Sequence, residues 1–312
     1  MKYLIKWFLG WVLSLRYNRK KGELYYIVWG HIGEAVYALS LLPELNRIKG
    51  KRINIITFSP YSQIAELYKD QYKDIIILSS RKVNFIKEYA RSNVIMHHNY
   101  IGSGWEWEAN ALYADVSDVY VPGLNYKIKD LKIPYSTKHS LITSPVDKNE
   151  EIFMDLVKKY EVLEKKSVLL IPYAQSAKQL DASFWEKVAT ILNNNGYKVY
   201  TNIKDESENV IKGTQGVVIP LRYVNTFIEY AGSAISIRCG LTDLIAVSHN
   251  DVEVLYRVEN MEDDFMAKIW SFKLGKENVL YKNRWLFREQ EDYIKFYSYI
   301  ENKYAREKYD RY

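Results

Sequence analysis

Three short stretches of the chain carry residue types that can do chemistry. The first is Gly30–Glu34, GHIGE, where an apolar run stops, glycines make a tight turn and a helical pattern begins at about Gly33. His31 stands at the strand tip, a suitable place for a general base near neutral pH; Glu34 is a rival base or a cap of its own helix. The second is the loop Tyr173–Asp181, from which Lys178 projects beside a helix start. An ammonium next to unpaired helix amides favours a phosphate, whereas a lysine taken singly is more often a solvated loop residue. The third is RCGLTD, Arg238–Asp243, in which a strand closes on Arg238, Cys239 and Gly240 turn, and the amides of Leu241, Thr242 and Asp243 open a helix. A guanidinium facing helix amides is suited to an anion, and Asp243 is either a dipole-stabilising carboxylate or a ligand for a sugar hydroxyl. His97 and His98 end another apolar run and either line an acceptor pocket or are structural.

These residues need elements to hold them. Apolar runs at Tyr25–Trp29, Ile53–Phe58, Ile75–Leu78 and Val94–His97 read as strands, separated by helical patterns at Glu34–Lys49, Tyr61–Lys69 and Val83–Arg91. Alternation of this kind predicts a parallel sheet covered on both faces, with ligands at the carboxyl ends of the strands. Periodicity fades between Asp115 and Lys148, where three prolines fall, and a second alternation follows. Its elements are a helix at Glu150–Leu163, strand Ser167–Pro172, helix Ala182–Asn195, strands Lys198–Ile203 and Val217–Ile219, helix Val224–Ala231, strand Ala234–Arg238, helix Leu241–Ser248 and strand Val252–Tyr256. The expected fold is α/β, two Rossmann-like doubly wound domains facing a cleft. The expected divisions are an N-terminal helix over 1–21, one Rossmann-like domain over 22–147, a second over 148–288 and a terminal helix over 289–312. In that helix Tyr293, Phe296, Tyr297, Ile300 and Tyr304 share one face, so it should pack on a domain.

Composition bounds the possibilities. With 48% hydrophobic and 26% charged residues in a chain of 312, disorder is excluded as the main theme. A net charge of +6 suits nucleic acid, an anionic membrane or a phosphorylated substrate, but it forms no long basic stripe beyond the N-terminus, which ranks nucleic acid last. One cysteine, Cys239, excludes an intramolecular disulfide, and the five histidines lack metal-ligand spacing, so no metal is expected. GHIGE is not GxGxxG, and Ser59-Pro60 stands where a dinucleotide site needs an acid, which disfavours nicotinamide. Residues 1–21 combine Trp7, Trp11 and many aliphatics with Lys2, Lys6, Arg16, Arg19, Lys20 and Lys21. The apolar part is shorter than the ~20 residues of a span and reads as an interfacial helix on anionic lipid, with burial against protein as the alternative.

In its motifs the chain resembles the heptosyltransferase-like (family 9-type) group of GT-B glycosyltransferases. That group opens with a GDxGD-type strand, turn and helix whose first aspartate is the proposed base; GHIGEAVYALSLLPEL follows it with His31 and Glu34 in the acidic places. KQLDASFWEKVATIL is similar to the lysine and tryptophan-containing helix start of the second domain, which implies that Lys178 meets the donor diphosphate. The D-[ST]-G-x-x-H element corresponds to RCGLTD, with Arg238 for the acid and Asp243 for the histidine, a departure that argues against an ADP-heptose donor.

The resemblance implies an inverting, metal-independent glycosyltransferase of cell-surface polysaccharide synthesis, needing no cofactor beyond its nucleoside-diphosphate sugar. The acceptor is a glycan or lipid-linked hydroxyl. Expected roles are catalytic for His31 and Glu34, and donor-binding for Lys178, Arg238, Gly240, Leu241, Thr242 and Asp243. Gly30, Gly33, His97 and His98 are expected on the acceptor side. The expected location is cytoplasmic, peripheral on the inner face of the membrane. A sugar-nucleotide epimerase or hydrolase of the same fold, or a non-catalytic partner subunit of a transferase, remains the alternative.

Overall fold

The computed structural model of the chain describes residues 4–5, 8, 12, 23–29, 31–89, 94–97, 116–117, 119–121, 126–127, 133–134, 149–174, 177–246, 251–261, 263 and 283–309. The chain divides between Pro145 and Val146 into two compact units.

In the first unit the strands are β1 (Tyr25–Ile27), β2 (Asn54–Thr57), β3 (Ile75–Ile77) and β4 (Val94–His97). They run parallel in the order β3-β2-β1-β4. Tyr25, Ile27 and Ile56 pack with Val83 and Ile86 of α4 (Ser80–Tyr89), so apolar runs too short to stand alone are stabilised by helix packing. The single helix expected over Glu34–Lys49 is two, α1 (Ile32–Ser40) and α2 (Leu42–Lys49), divided at Leu41. Pro43 is the reason: it has no N–H to give a continuing helix, and its ring excludes the carbonyl four residues earlier, so it sits in the first turn of a new one. Helix α2 ends on Gly50, whose φ of 64° needs no Cβ penalty. Helix α3 (Tyr61–Glu66) joins β2 to β3.

Between 116 and 134 the structure shows strands where periodicity is absent from the sequence. These are β5 (Val116–Ser117), β6 (Val119–Val121), β7 (Tyr126–Lys127) and β8 (Ile133–Pro134). β6 and β7 extend the first sheet antiparallel beyond β4, and β5 pairs with β8. Strands of two or three residues are too short for an alternation to register.

The second unit begins with α5 (Glu151–Tyr160), β9 (Ser167–Ile171), α6 (Ala182–Asn194), β10 (Lys198–Asn202) and β11 (Gln215–Val217). It continues with α7 (Val224–Ala231), β12 (Gly232–Ile237), α8 (Gly240–Ala246), β13 (Val252–Arg257), β14 (Asn283–Phe287) and α9 (Gln290–Tyr309). Its six strands are parallel in the order β11-β10-β9-β12-β13-β14, the doubly wound order that reverses between β9 and β12. Strand β14 is absent from the sequence reading, because NRWLF opens on polar residues.

On one sheet face Leu170, Ile235, Ile237, Leu255 and Phe287 pack against Phe184 and Trp185 of α6 and Phe296, Ile300 and Tyr304 of α9. Phe184 meets Phe287 edge-on at 5.2 Å and Phe296 in a stack at 5.7 Å. Helix α9 is also held by polar groups. Buried Glu253 accepts from Trp285 Nε1 at 2.7 Å, Tyr299 Oη at 2.8 Å and Lys303 Nζ at 2.9 Å, while Lys303 also meets Asp251 at 2.6 Å. Every group there has a partner, which fixes one register of the helix on the sheet. Gly232, at φ 124°, starts β12 so close to the backbone of Lys165 that a Cβ would lie 3.3 Å from its Cα.

Leu4, Ile5, Phe8 and Val12 are helical and exposed, Leu4 at 71% and Phe8 at 55%. No helix among the described residues is long and apolar enough to cross a membrane.

Candidate functional site

The strand order reverses between β9 and β12, and there the connections at the carboxyl ends diverge to opposite faces of the sheet. The loop after β9, the turn after β12 and the segment after β13 all leave this edge, and each brings charge to it.

The turn after β12 is folded on itself. Arg238 Nη2 meets Asp243 Oδ2 at 3.1 Å, and Nη1 donates to the Cys239 carbonyl at 2.7 Å. The two side chains are only 13% and 4% exposed. The carboxylate expected to touch a sugar and the guanidinium expected to touch a phosphate thus hold each other. Thr242 is likewise committed. Its hydroxyl donates to the Ile237 carbonyl at 3.0 Å and accepts from the Cys239 amide at 3.0 Å, with Ser236 Oγ at 3.1 Å. Its own amide donates to the Cys239 carbonyl at 3.0 Å. Neither the Thr242 hydroxyl nor its N–H is presented to a ligand, which corrects the expectation of three open amides. Helix α8 starts at Gly240, one residue earlier than expected, and Leu241 is buried beneath it.

Lys178 is bound from a different direction. Its ammonium lies 2.7 Å from Glu259 Oε2 and 2.9 Å from Asp263 Oδ2, and these two carboxylates raise its pKa. Glu259 in turn is lowered by Lys178. Arg257, the last residue of β13, closes the group with Nε to Glu259 at 2.8 Å and Nη1 to Asp181 at 3.2 Å and to the Gln179 carbonyl at 2.9 Å. The sequence reading missed Arg257, Glu259 and Asp263. The signal that could have found them is the one that found Arg238: charged residues directly after an apolar parallel strand.

The two cations differ in how firmly they are held. Lys178 and Glu259 are 40% and 46% exposed, and water screens a pair so open. Separating the nearly buried Arg238 and Asp243 costs far more. Lys178 is therefore the more loosely held of the two, and Arg238 pins its turn.

In the first unit His31 is exposed and its carbonyl accepts from Ala35 N at 2.9 Å, the first hydrogen bond of α1, so the residue caps that helix. Gly33 is buried in the first turn. Glu34 lies in α1 with its side chain outside the described residues, as does that of His97, the last residue of β4; Gly30 and His98 lie outside them altogether.

No protein-family model matches the chain, and no curated protein sequence matches it. Solved structures do. The E. coli ADP-heptose LPS heptosyltransferase II is 12% identical, with 86% of this chain and 90% of that one covered at a TM-score of 0.53. A glycosyl transferase of family 9 from Veillonella parvula DSM 2008 is 11% identical, covering 89% and 88% at 0.53. E. coli heptosyltransferase WaaC with ADP-2-deoxy-2-fluoro heptose is 10% identical, covering 90% and 99% at 0.50.

The chain has the heptosyltransferase fold. At these identities the likeness is one of architecture, and it extends over both units. The two Rossmann-like units expected from the alternation of strands and helices, and the GT-B class implied by the resemblance, are the fold found.

Proposed function

We propose that the chain is a glycosyltransferase that moves a sugar from a nucleoside-diphosphate sugar to a hydroxyl of a glycan or lipid-linked acceptor in cell-surface polysaccharide synthesis. The observation that carries this reading is the heptosyltransferase fold, spanning both units, with basic side chains gathered at the carboxyl edge of the second sheet.

On this reading the second unit binds the donor. Lys178 exchanges Glu259 and Asp263 for the diphosphate, and the positive end of the Arg238 turn adds to the field, so the leaving group is stabilised by side chains without a metal. His31, on the first unit, takes the acceptor proton, with Glu34, three residues along, as the rival base. Direct attack of the deprotonated hydroxyl on the anomeric carbon, opposite the departing diphosphate, inverts that centre. Residues 1–21 rest on an anionic membrane surface. The exposed Leu4, Ile5, Phe8 and Val12 supply apolar area, and Arg16, Arg19, Lys20 and Lys21 the charge. Sedimentation with phosphatidylglycerol vesicles should carry the protein down, and Phe8→Glu should leave it in solution.

The deciding experiment incubates the protein with a panel of nucleoside-diphosphate sugars and measures thermal shift and nucleotide release. One donor family should raise the melting temperature and be turned over. No shift and no release with any donor overturns the reading, and a shift without release or hydrolysis moves it to a non-catalytic binding subunit.

A further inference from the structure

Beside the buried Arg238–Asp243 pair stand two polar side chains that belong to neither ion-pair cluster, Tyr256 and Arg284. Arg238 directly follows β12, and Tyr256 and Arg284 stand on the next strands of the sheet, β13 and β14. Arg238 N bonds the Leu255 carbonyl at 2.9 Å, and Tyr256 lies opposite Leu286 with Arg284 one pleat away, opposite Val254. Alternation along parallel strands puts Tyr256 and Arg284 on the same face of the sheet, away from the aromatic core under α6 and α9. The guanidinium carbon of Arg284 lies 5.0 Å from the centre of the Tyr256 ring.

Two donors in this arrangement lack an acceptor. Tyr256 is 7% exposed, and its hydroxyl finds no acceptor for its proton; the Arg238 and Arg284 guanidiniums, which can only donate to it, oppose the rise that burial imposes on its pKa. Arg284 Nε is buried without an acceptor. The arginines Arg238, Arg257 and Arg222 each meet a carboxylate, namely Asp243, Glu259 and Glu150. Arg284 meets none among the described residues; its neighbour is a neutral ring. Asp243 neutralises Arg238, so the surplus charge of the group is that of Arg284. A buried donor left unsatisfied is costly, and a buried phenol, a buried guanidinium N–H and one positive charge with no carboxylate partner among the described residues share a single complement, an oxyanion. Arg284 is only partly buried, so solvent reaches the group.

We propose that Tyr256 and Arg284, with Arg238 beside them, form an oxyanion site that receives a phosphate group. The Tyr256 hydroxyl donates to one oxygen and the Arg284 guanidinium to the others. This deepens the donor reading above and rests on it only for the identity of the phosphate as part of a sugar nucleotide.

The test is calorimetric titration of the full chain with inorganic pyrophosphate, with citrate as a carboxylate probe. The wild type should bind pyrophosphate more tightly than citrate. Tyr256→Phe, which keeps ring and volume, and Arg284→Met should each weaken pyrophosphate roughly tenfold or more, as expected for loss of a hydrogen bond to a charged group. Neither should lower the melting temperature. The proposal is overturned if the wild type binds no pyrophosphate, if citrate binds more tightly, or if both variants bind like the wild type. A lower melting temperature in Arg284→Met with unchanged binding in Tyr256→Phe makes the pair structural and also overturns it. The two readings separate cleanly. Variant-sensitive pyrophosphate binding in a protein that turns over no sugar nucleotide leaves the site standing and removes the transferase. Measured transfer with an unchanged donor KM in both variants does the reverse.

Discussion

Arg238 and Asp243 face each other at 3.1 Å across the turn after β12, both nearly withdrawn from solvent. The consequence is that removing one of them strands the other. Asp243→Asn should lower the free energy of unfolding by roughly 3 kcal/mol, and Arg238→Met combined with Asp243→Leu should recover most of it. Urea unfolding followed by tryptophan fluorescence measures both. A loss below about 1 kcal/mol in Asp243→Asn would mean that water screens the pair, and would return Arg238 to the exchangeable cations.

Lys178 gives the opposite expectation. Because its partners Glu259 and Asp263 are weakly held competitors for the ammonium, Glu259→Gln with Asp263→Asn should tighten binding of nucleoside diphosphates by about threefold to tenfold, the equivalent of roughly 1 kcal/mol. Stability should change little, because the pair is open to water. Weaker binding in the double variant would show that the carboxylates contact the ligand themselves.

The polar anchor of α9 makes stability sensitive to alkali. Burial alone would lower the pKa of Lys303, but Tyr304, Glu253 and Asp251 outweigh it and hold the ammonium above the usual lysine range. The folded protein therefore binds this proton more tightly than the unfolded chain, so the contribution is complete below the unfolded lysine value of about 10.4 and is lost as pH rises beyond it. Tyr299, pushed up to about 12 by burial and by Glu253, has the same sign: its neutral phenol is favoured in the folded state, and the gain disappears above the unfolded value of about 10. The urea midpoint should fall steeply above roughly pH 10, and Lys303→Met should cost roughly 3 kcal/mol at neutral pH. A midpoint that stays flat through this range contradicts the account.

His31 and Glu34 divide the acceptor chemistry. His31→Ala should reduce kcat by about 10²-fold or more with little change in donor KM, as for loss of a general base, and Glu34→Gln should do less. Steady-state kinetics with the donor identified in the sugar-nucleotide panel measures this. A large loss in Glu34→Gln with His31→Ala unaffected makes the carboxylate the base, and unchanged turnover in both removes the corner from the mechanism.

The fold was legible because it depends on local pattern. Short apolar runs such as Tyr25–Ile27 and Val168–Ile171 alternate with helical stretches, and the buried face of α9 repeats Phe296, Ile300 and Tyr304 at helical spacing. Pro43 even marks where the first helix must break. Strand β14 and the short strands of 116–134 escaped because they are too brief or too polar to show a period. The candidate site was legible as positions and not as partnerships. Arg238 is found by its place at a strand end, and Lys178 and Asp243 by theirs at helix starts, but the sequence does not say that Arg238 is consumed by Asp243, or that Lys178 meets Glu259, 81 residues away. Nor does it bring Arg284 to Tyr256. Hydrophobic burial is encoded residue by residue and leaves a periodicity to read. A charge's partner is set by which parallel strands become neighbours, and crossover connections place strands side by side whose residues lie far apart along the chain.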